Sequence, residues 1–320
     1  MTEEPCAGLP AWRQKNDATG LSDAAAMIAV MRLSTVILPV YRWREGQEVW
    51  RRAEELGLHA AYTYDHLSWQ SFRGGPWFGT VPTLAAAATA TSRIRLGTMV
   101  ASPNFRHPVP FAKELMTLDD MSGGRMTLGL GSGGTGFDAR TLGEPSWSTR
   151  ERTDRFGEFT RLLSRLLTED QTTAHDGAYY RADEAEMLPG STQRPRMPFH
   201  IAAGGPRGMR LAAELGQGWV TVGDLELGPK AAAAQIDKLR DICAEAGRDL
   251  ADFEITLLNM PRSASERPLA SFDAFVDWAG RYREAGITEL VLHWPVADSE
   301  FAADVDLFER VAVEGVTAAS

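Results

Sequence analysis

From Arg32 onward, short apolar runs alternate with longer segments whose apolar positions recur at helical spacing. Leu33 to Pro39 predicts a strand, and Gln47 to Leu56 a helix that stops at Gly57. Ala60 to Tyr64 predicts a second strand, Val81 to Thr91 an alanine-rich helix with Pro82 in its first turn, and Ile94 to Val100 a third strand. Pro108 to Met121 reads as a helix ending at Gly123-Gly124, and Met126 to Leu130 as strand four. The regularity then breaks. Thr135 to Trp147 is glycine-rich and aperiodic, and an amphipathic helix resumes only at Arg152 to Leu167. Thr168 to Pro198 is irregular and too long for an ordinary connection, so an inserted hairpin or lid is expected there.

The alternation returns with strands at Phe199 to Ala203, Trp219 to Val222, Phe253 to Leu258 and Glu289 to His293. Helices are expected at Arg207 to Leu215, Pro229 to Ala246, Phe272 to Ala285 and Glu300 to Val313. Eight strands with helices between them predict an α/β fold, a closed (β/α)8 TIM barrel rather than an open sheet, as one domain over residues 31–320. Residues 1–30 contain Pro5, Gly8, Pro10 and Gly20 among mixed charges, and are expected to be a disordered leader rather than a signal peptide.

Composition narrows the class of function. With 320 residues, 44% hydrophobic and 24% charged, the chain can fill one large core. A net charge of -10 without a basic stripe argues against nucleic acid, because neutralising phosphates requires clustered cations. Cys6 and Cys243 stand alone, so neither a disulfide framework nor a metal site is expected, and a reducing cytoplasm suits them. No apolar run reaches the roughly 20 residues that span a bilayer, so no membrane association is expected.

Three places carry candidate chemistry. Asp65 and His66 close the second strand, at the barrel end where catalytic groups gather; the imidazole can exchange a proton near neutral pH and the carboxylate can orient it. Gly129 to Gly134 matches GxGxxG, but it follows the fourth strand and no helix is expected directly after it. A glycine rim that lets a flat ring approach the backbone suits it better than a dinucleotide fingerprint. Ala202, Ala203, Gly204, Gly205, Pro206, Arg207 and Gly208 run from strand into helix, where free N–H groups and Arg207 could cradle an anion.

Taken together, "YTYDHLSW", "SRIRLGTMVASPNFRHPVPFAKELMTLDDMSGGRMTLGLGSGG" and "AAGGPRGMRLAAELGQGWVTVG" resemble the bacterial-luciferase-like superfamily of flavin- and deazaflavin-dependent oxidoreductases, over roughly Arg32 to His293. The resemblance implies that Met99 and Val100 form a bulged bed for the cofactor ring, often with a non-prolyl cis peptide, and that Ser102 adjoins it. It implies a cofactor-contacting carboxylate at Asp65, a histidine near the reactive ring position at His66, and an aromatic wall near Trp69. Ser132 and Gly133 match contacts to the cofactor tail, and Gly204 to Gly208 a second tail or phosphate region. Where sugar-phosphate dehydrogenases of this superfamily carry a glutamate, this chain has Gly134. That leaves His66 as the expected proton carrier, with Asp138, Glu144 or the Tyr179-Tyr180 pair as helpers.

The "SPNFRHP" turn is closer to the branch that uses coenzyme F420 than to the FMN monooxygenases, and Arg106 and Arg207 could face an anionic tail. The expectation is an F420-dependent enzyme passing hydride to an electron-poor C=C or C=N bond of a small organic substrate. An FMN monooxygenase served by a separate reductase is the alternative, and a catalytically silent flavin-binding barrel is the reading from another class. A homodimer is expected.

Overall fold

The computed structural model describes residues 31–134, 136–169, 172–224, 227–260 and 266–319; the expected leader lies outside them. Eight parallel strands close into a barrel. In chain order they are β1 (Arg32–Val36), β2 (Ala60–Thr63), β3 (Arg95–Ala101), β4 (Met126–Gly131), β7 (Phe199–Ala202), β8 (Gly218–Thr221), β9 (Glu254–Leu258) and β10 (Glu289–His293), while β5 (Thr173–Asp176) and β6 (Arg181–Ala185) form a separate antiparallel hairpin. Helices α1 (Trp43–Glu55), α2 (Thr80–Ala90), α3 (Pro108–Met121), α4 (Phe137–Leu142), α5 (Thr149–Thr168), α6 (Pro206–Leu215), α7 (Pro229–Glu245), α8 (Phe272–Glu284) and α9 (Val305–Arg310) connect the strands or follow the last of them.

Local chemistry sets these boundaries. Helix α3 starts where the His107 side chain accepts from the Val109 N–H with Pro108 in the first turn, and it is followed by Gly123 and Gly124 at φ 62° and 80°. Asp304 accepts from the Leu307 N–H at 2.8 Å, so α9 begins at Val305 and not at Glu300 as the periodicity suggested. Helix α4 was not expected at all. It has six residues and is bounded by Gly136 and Gly143, both with positive φ, so it is too short to show a period.

The hairpin is present, but it is not a lid. It lies along the outer flank of α5, where Glu158 accepts the backbone N–H groups of Tyr179 (3.1 Å) and Tyr180 (2.8 Å), and the Tyr180 ring packs against Phe159 and His107.

The N-terminal end of the barrel is filled with polar groups. Glu289 is fully buried, and its two oxygens accept from Ser34 (2.5 Å), Tyr62 (3.1 Å) and Thr256 (2.7 Å). Glu254 pairs with Arg32 at 2.9 Å and lies 3.3 Å from the His200 ring. Ligand atoms of His200, Glu254 and Glu289 fall within 4.8 Å of one another, but Arg32 and Arg95 face the same cluster and balance its two carboxylates. Burial pushes His200 below the ordinary histidine range, and the neighbouring carboxylates only partly oppose this.

Interior glycines make room for these rings. A Cβ on Gly218 would sit 2.7 Å from the His200 ring. Gly218→Ala is therefore expected to destabilise the protein by about 1–3 kcal/mol through overpacking, measured as a shift in the urea midpoint at unchanged slope. No helix among the described residues is long and apolar enough to cross a membrane.

Candidate active site

At the opposite, C-terminal end of the barrel the strand ends surround a cavity of about 420 Å³, within the range of small-molecule sites. It draws Tyr64, His66 and Trp69 from beyond β2, Met99, Val100 and Ser102 from the end of β3 and the residue after it, and Gly131 to Gly134 from the last residue of β4 and the loop after it. Ala202 to Gly204, Val220 to Gly223, and Leu258 and Met260 come from the ends of β7, β8 and β9 and the residues just past them, and Gln235 from α7.

The ring bed comes from a break in the ladder. The β3–β4 register shifts between Thr98 and Ala101, the Met99–Val100 peptide is cis, and both residues line the cavity. Glycine is required opposite them, since a Cβ on Gly131 would lie 2.7 Å from Val100 Cγ2. Above Gly134 and Gly204 a Cβ would meet nothing within 4 Å, so backbone borders open space on both sides.

His66 is held by a residue 72 positions away. Its Nδ1 lies 2.9 Å from Asp138 Oδ2, and the same carboxylate accepts from Asn104 Nδ2 (2.8 Å) and the Leu67 N–H (2.8 Å). Asp138 is buried, which alone would raise its pKa, but the hydrogen bonds from His66, Asn104 and Leu67 outweigh burial and keep the carboxyl below its ordinary value. An ionised carboxylate only accepts, so the network assigns the proton to Nδ1 and leaves Nε2 as the exchangeable nitrogen of a cavity-lining ring. Short α4 delivers Asp138 to this position.

Not every expected residue reaches the cavity. Asp65 is 1% exposed and bound in a fork by Arg106, Nε to Oδ2 at 2.6 Å and Nη2 to Oδ1 at 2.7 Å, while Arg106 Nη1 reaches Glu114 at 2.9 Å. Neither Asp65 nor Arg106 lines the cavity; the carboxylate and guanidinium that would have faced a cofactor are occupied with each other. Gly205, Arg207 and Gly208 also fall outside it, and Arg207 pairs with Asp154 on the exposed side. Tyr179 and Tyr180 belong to the flank, where the Arg155 guanidinium lies 4.6 Å from the Tyr179 ring centroid.

Sequence reasoning did not single out Arg152. Its Nη1 donates to the Gly133 carbonyl at 3.0 Å and its Nη2 to Thr149, while Nε is buried without a partner. It forms no ion pair among the described residues, and it shares a small recess beside Gly134 with Ser146, Trp147 and Glu144. The recess holds only about 20 Å³ and includes Glu144, so this guanidinium braces the Gly133 loop from behind rather than facing the cavity.

Beneath the rim, Tyr64 Oη lies 2.8 Å from His293 Nε2. Burial pushes His293 down to about 3, partly opposed by a hydrogen bond to the Asn259 backbone, so the ring is neutral in the folded protein. The unfolded chain takes up a proton below about pH 6.5 and the folded one does not, so stability falls as pH drops from 6.5 towards 3. At pH 5 this one group is expected to remove about 2 kcal/mol relative to pH 7. Urea unfolding at both pH values checks it, and His293→Gln should lose most of that difference.

The family profile of luciferase-like monooxygenases matches residues 24–301. An F420-dependent glucose-6-phosphate dehydrogenase of Beutenbergia cavernae is 37% identical over 171 residues, which cover 52% of this chain and 49% of that protein. The 4-hydroxyprotoasukamycin monooxygenase of Streptomyces nodosus subsp. asukaensis is 31% identical over 252 residues, 74% of this chain and 65% of that one. The chain spans about half the length of several of the glucose-6-phosphate dehydrogenases it matches. Among solved structures, the coenzyme F420-dependent tetrahydromethanopterin reductase of Methanopyrus kandleri superposes with a TM-score of 0.73 at 20% identity, over 91% of this chain and 100% of that one.

Proposed function

The chain belongs to the luciferase-like monooxygenase family, and from that premise we propose that it is an oxidoreductase that binds coenzyme F420 and reduces an electron-poor C=C or C=N bond of a small organic substrate. The observation that carries this reading is the His66–Asp138 pair at the wall of a glycine-lined cavity. F420-dependent dehydrogenases among the relatives support the choice of cofactor.

The residues present fit a flat cofactor ring. Met99 and Val100 would support the ring, and Gly134 and Gly204, where a Cβ would meet nothing, would let it approach the backbone. When bound, the reduced deazaflavin supplies a hydride. The chain's own part is to shut out water and to move a proton: His66 gives a proton from Nε2 to the substrate atom left electron-rich, and Asp138 holds Nδ1–H and stabilises the charged ring before that transfer.

A second reading has one observation in its favour, the monooxygenase that matches 74% of the chain. In it the same cavity would take reduced FMN delivered by a separate reductase and use oxygen. Parallel fluorescence titrations with oxidised F420 and FMN decide between them. Tight binding of F420 with weak FMN supports the first reading and the reverse order the second. In either case Arg152→Leu is expected to weaken binding of the preferred cofactor about tenfold, because it removes the charge-assisted bond that holds the Gly133 carbonyl at the cavity rim.

A further inference from the structure

We infer that the substrate is an uncharged, largely apolar molecule that presents one hydrogen-bond acceptor, such as a carbonyl or lactone oxygen, to the side-chain amide of Gln235. This rests on the cofactor-binding reading of the same cavity.

The first observation is the absence of charge. Among the described residues, no Asp, Glu, Lys or Arg side chain lines the cavity. The charges next to it are engaged: Asp65 with Arg106, Asp138 with His66. Arg152 lies behind Gly133 in its own recess, bonded to the Gly133 carbonyl, and does not line the cavity. An anionic substrate entering the cavity would lose its hydration and meet no lining counter-charge among the described residues.

The second observation is the nature of the walls. Met99, Val100, Trp69, Val220, Leu258 and Met260 supply apolar and aromatic surface. That surface continues to the rim at Leu67 and Val222, which are 36% and 52% exposed. Apolar side chains left exposed beside a cavity mark where an apolar ligand enters.

The third observation is a neutral amide donor held in place. Gln235 reaches the cavity from α7, and its Oε1 accepts from Thr221 Oγ1 at 2.7 Å. The Thr221 oxygen also accepts from the Gly223 N–H at 3.0 Å, and in the arrangement the structure places, its hydroxyl donates to the amide oxygen, which turns the NH2 group away from Thr221. The Gln235 NH2 group is thereby what the cavity is offered, and it has no acceptor among the described residues. In the order β2-β3-β4-β7-β8 this donor sits across the barrel from His66. A substrate lying between them meets a proton carrier at one end and a neutral donor at the other.

The test uses the full chain loaded with whichever of F420 or FMN it binds, and three probes: coumarin, coumarin-3-carboxylate and glucose 6-phosphate. Coumarin is planar and neutral with one lactone carbonyl, and the carboxylate differs from it by a charge. Coumarin is expected to bind at least about tenfold more tightly than its carboxylate, and glucose 6-phosphate not measurably, because burying an unpaired carboxylate or phosphate is costly. Gln235→Leu should weaken coumarin about 5- to 10-fold, one hydrogen bond's worth, while the cofactor Kd and the unfolding midpoint stay put. Equal or tighter binding of either anion, no saturable binding of coumarin, or a Gln235→Leu effect that falls on the cofactor instead each overturns the inference. If neither F420 nor FMN binds, the cofactor reading fails separately, and the same probe series on the unloaded chain still decides the charge preference.

Discussion

His66→Ala is expected to lower turnover at saturating cofactor by about 10²- to 10⁴-fold, the usual contribution of a general acid or base, while cofactor affinity changes little. The size follows from position. His66 is the ring at the cavity wall whose remaining nitrogen can exchange a proton, because Nδ1 is committed to Asp138 at 2.9 Å. Asp138→Asn should cost less, about 10- to 100-fold, since it leaves the imidazole in place but removes the charge that fixes its tautomer. It should also move the pH dependence of turnover, which a merely structural role would leave alone. Near wild-type turnover in His66→Ala, with the cofactor bound, would remove this residue from the chemistry.

Arg106→Met is expected to destabilise the protein by about 3–5 kcal/mol, because it strands a buried carboxylate. Asp65 is 1% exposed, and both of its oxygens are bound by Arg106. The paired change Asp65→Asn with Arg106→Met should recover a substantial part of the loss, since no uncompensated charge then remains. Urea unfolding at pH 7 of the wild type, both single variants and the double variant closes the cycle. A loss below about 1 kcal/mol in Arg106→Met would mean that Asp65 is reached by water or by another cation.

The barrel was legible because its elements repeat. Pro108–Met121 and Glu289–His293 begin and end at the residues expected, where proline, glycine and β-branched runs speak locally. Local signals singled out His66 and the glycine rim, the family resemblance added Met99 and Val100, and all of them line one cavity. What escaped was long-range or short. Helix α4 has too few residues to show a period, so Asp138 emerged only as one helper among several, without its distance to His66. The Asp65–Arg106 fork joins positions 41 apart, and a carboxylate beside a rim histidine looks the same in sequence whether it faces a ligand or a guanidinium. Arg152 and Gln235 lie on helices whose faces turn inward only once the barrel closes.

The polar floor has a consequence for traffic. Glu289 and the hydroxyls around it fill the barrel's N-terminal end, with Val36, Tyr62 and Val291 buried in the interior. Among the described residues the barrel is thus closed below the cavity, and a ligand of the proposed site would enter and leave on the C-terminal side alone, with no through-channel along the barrel axis.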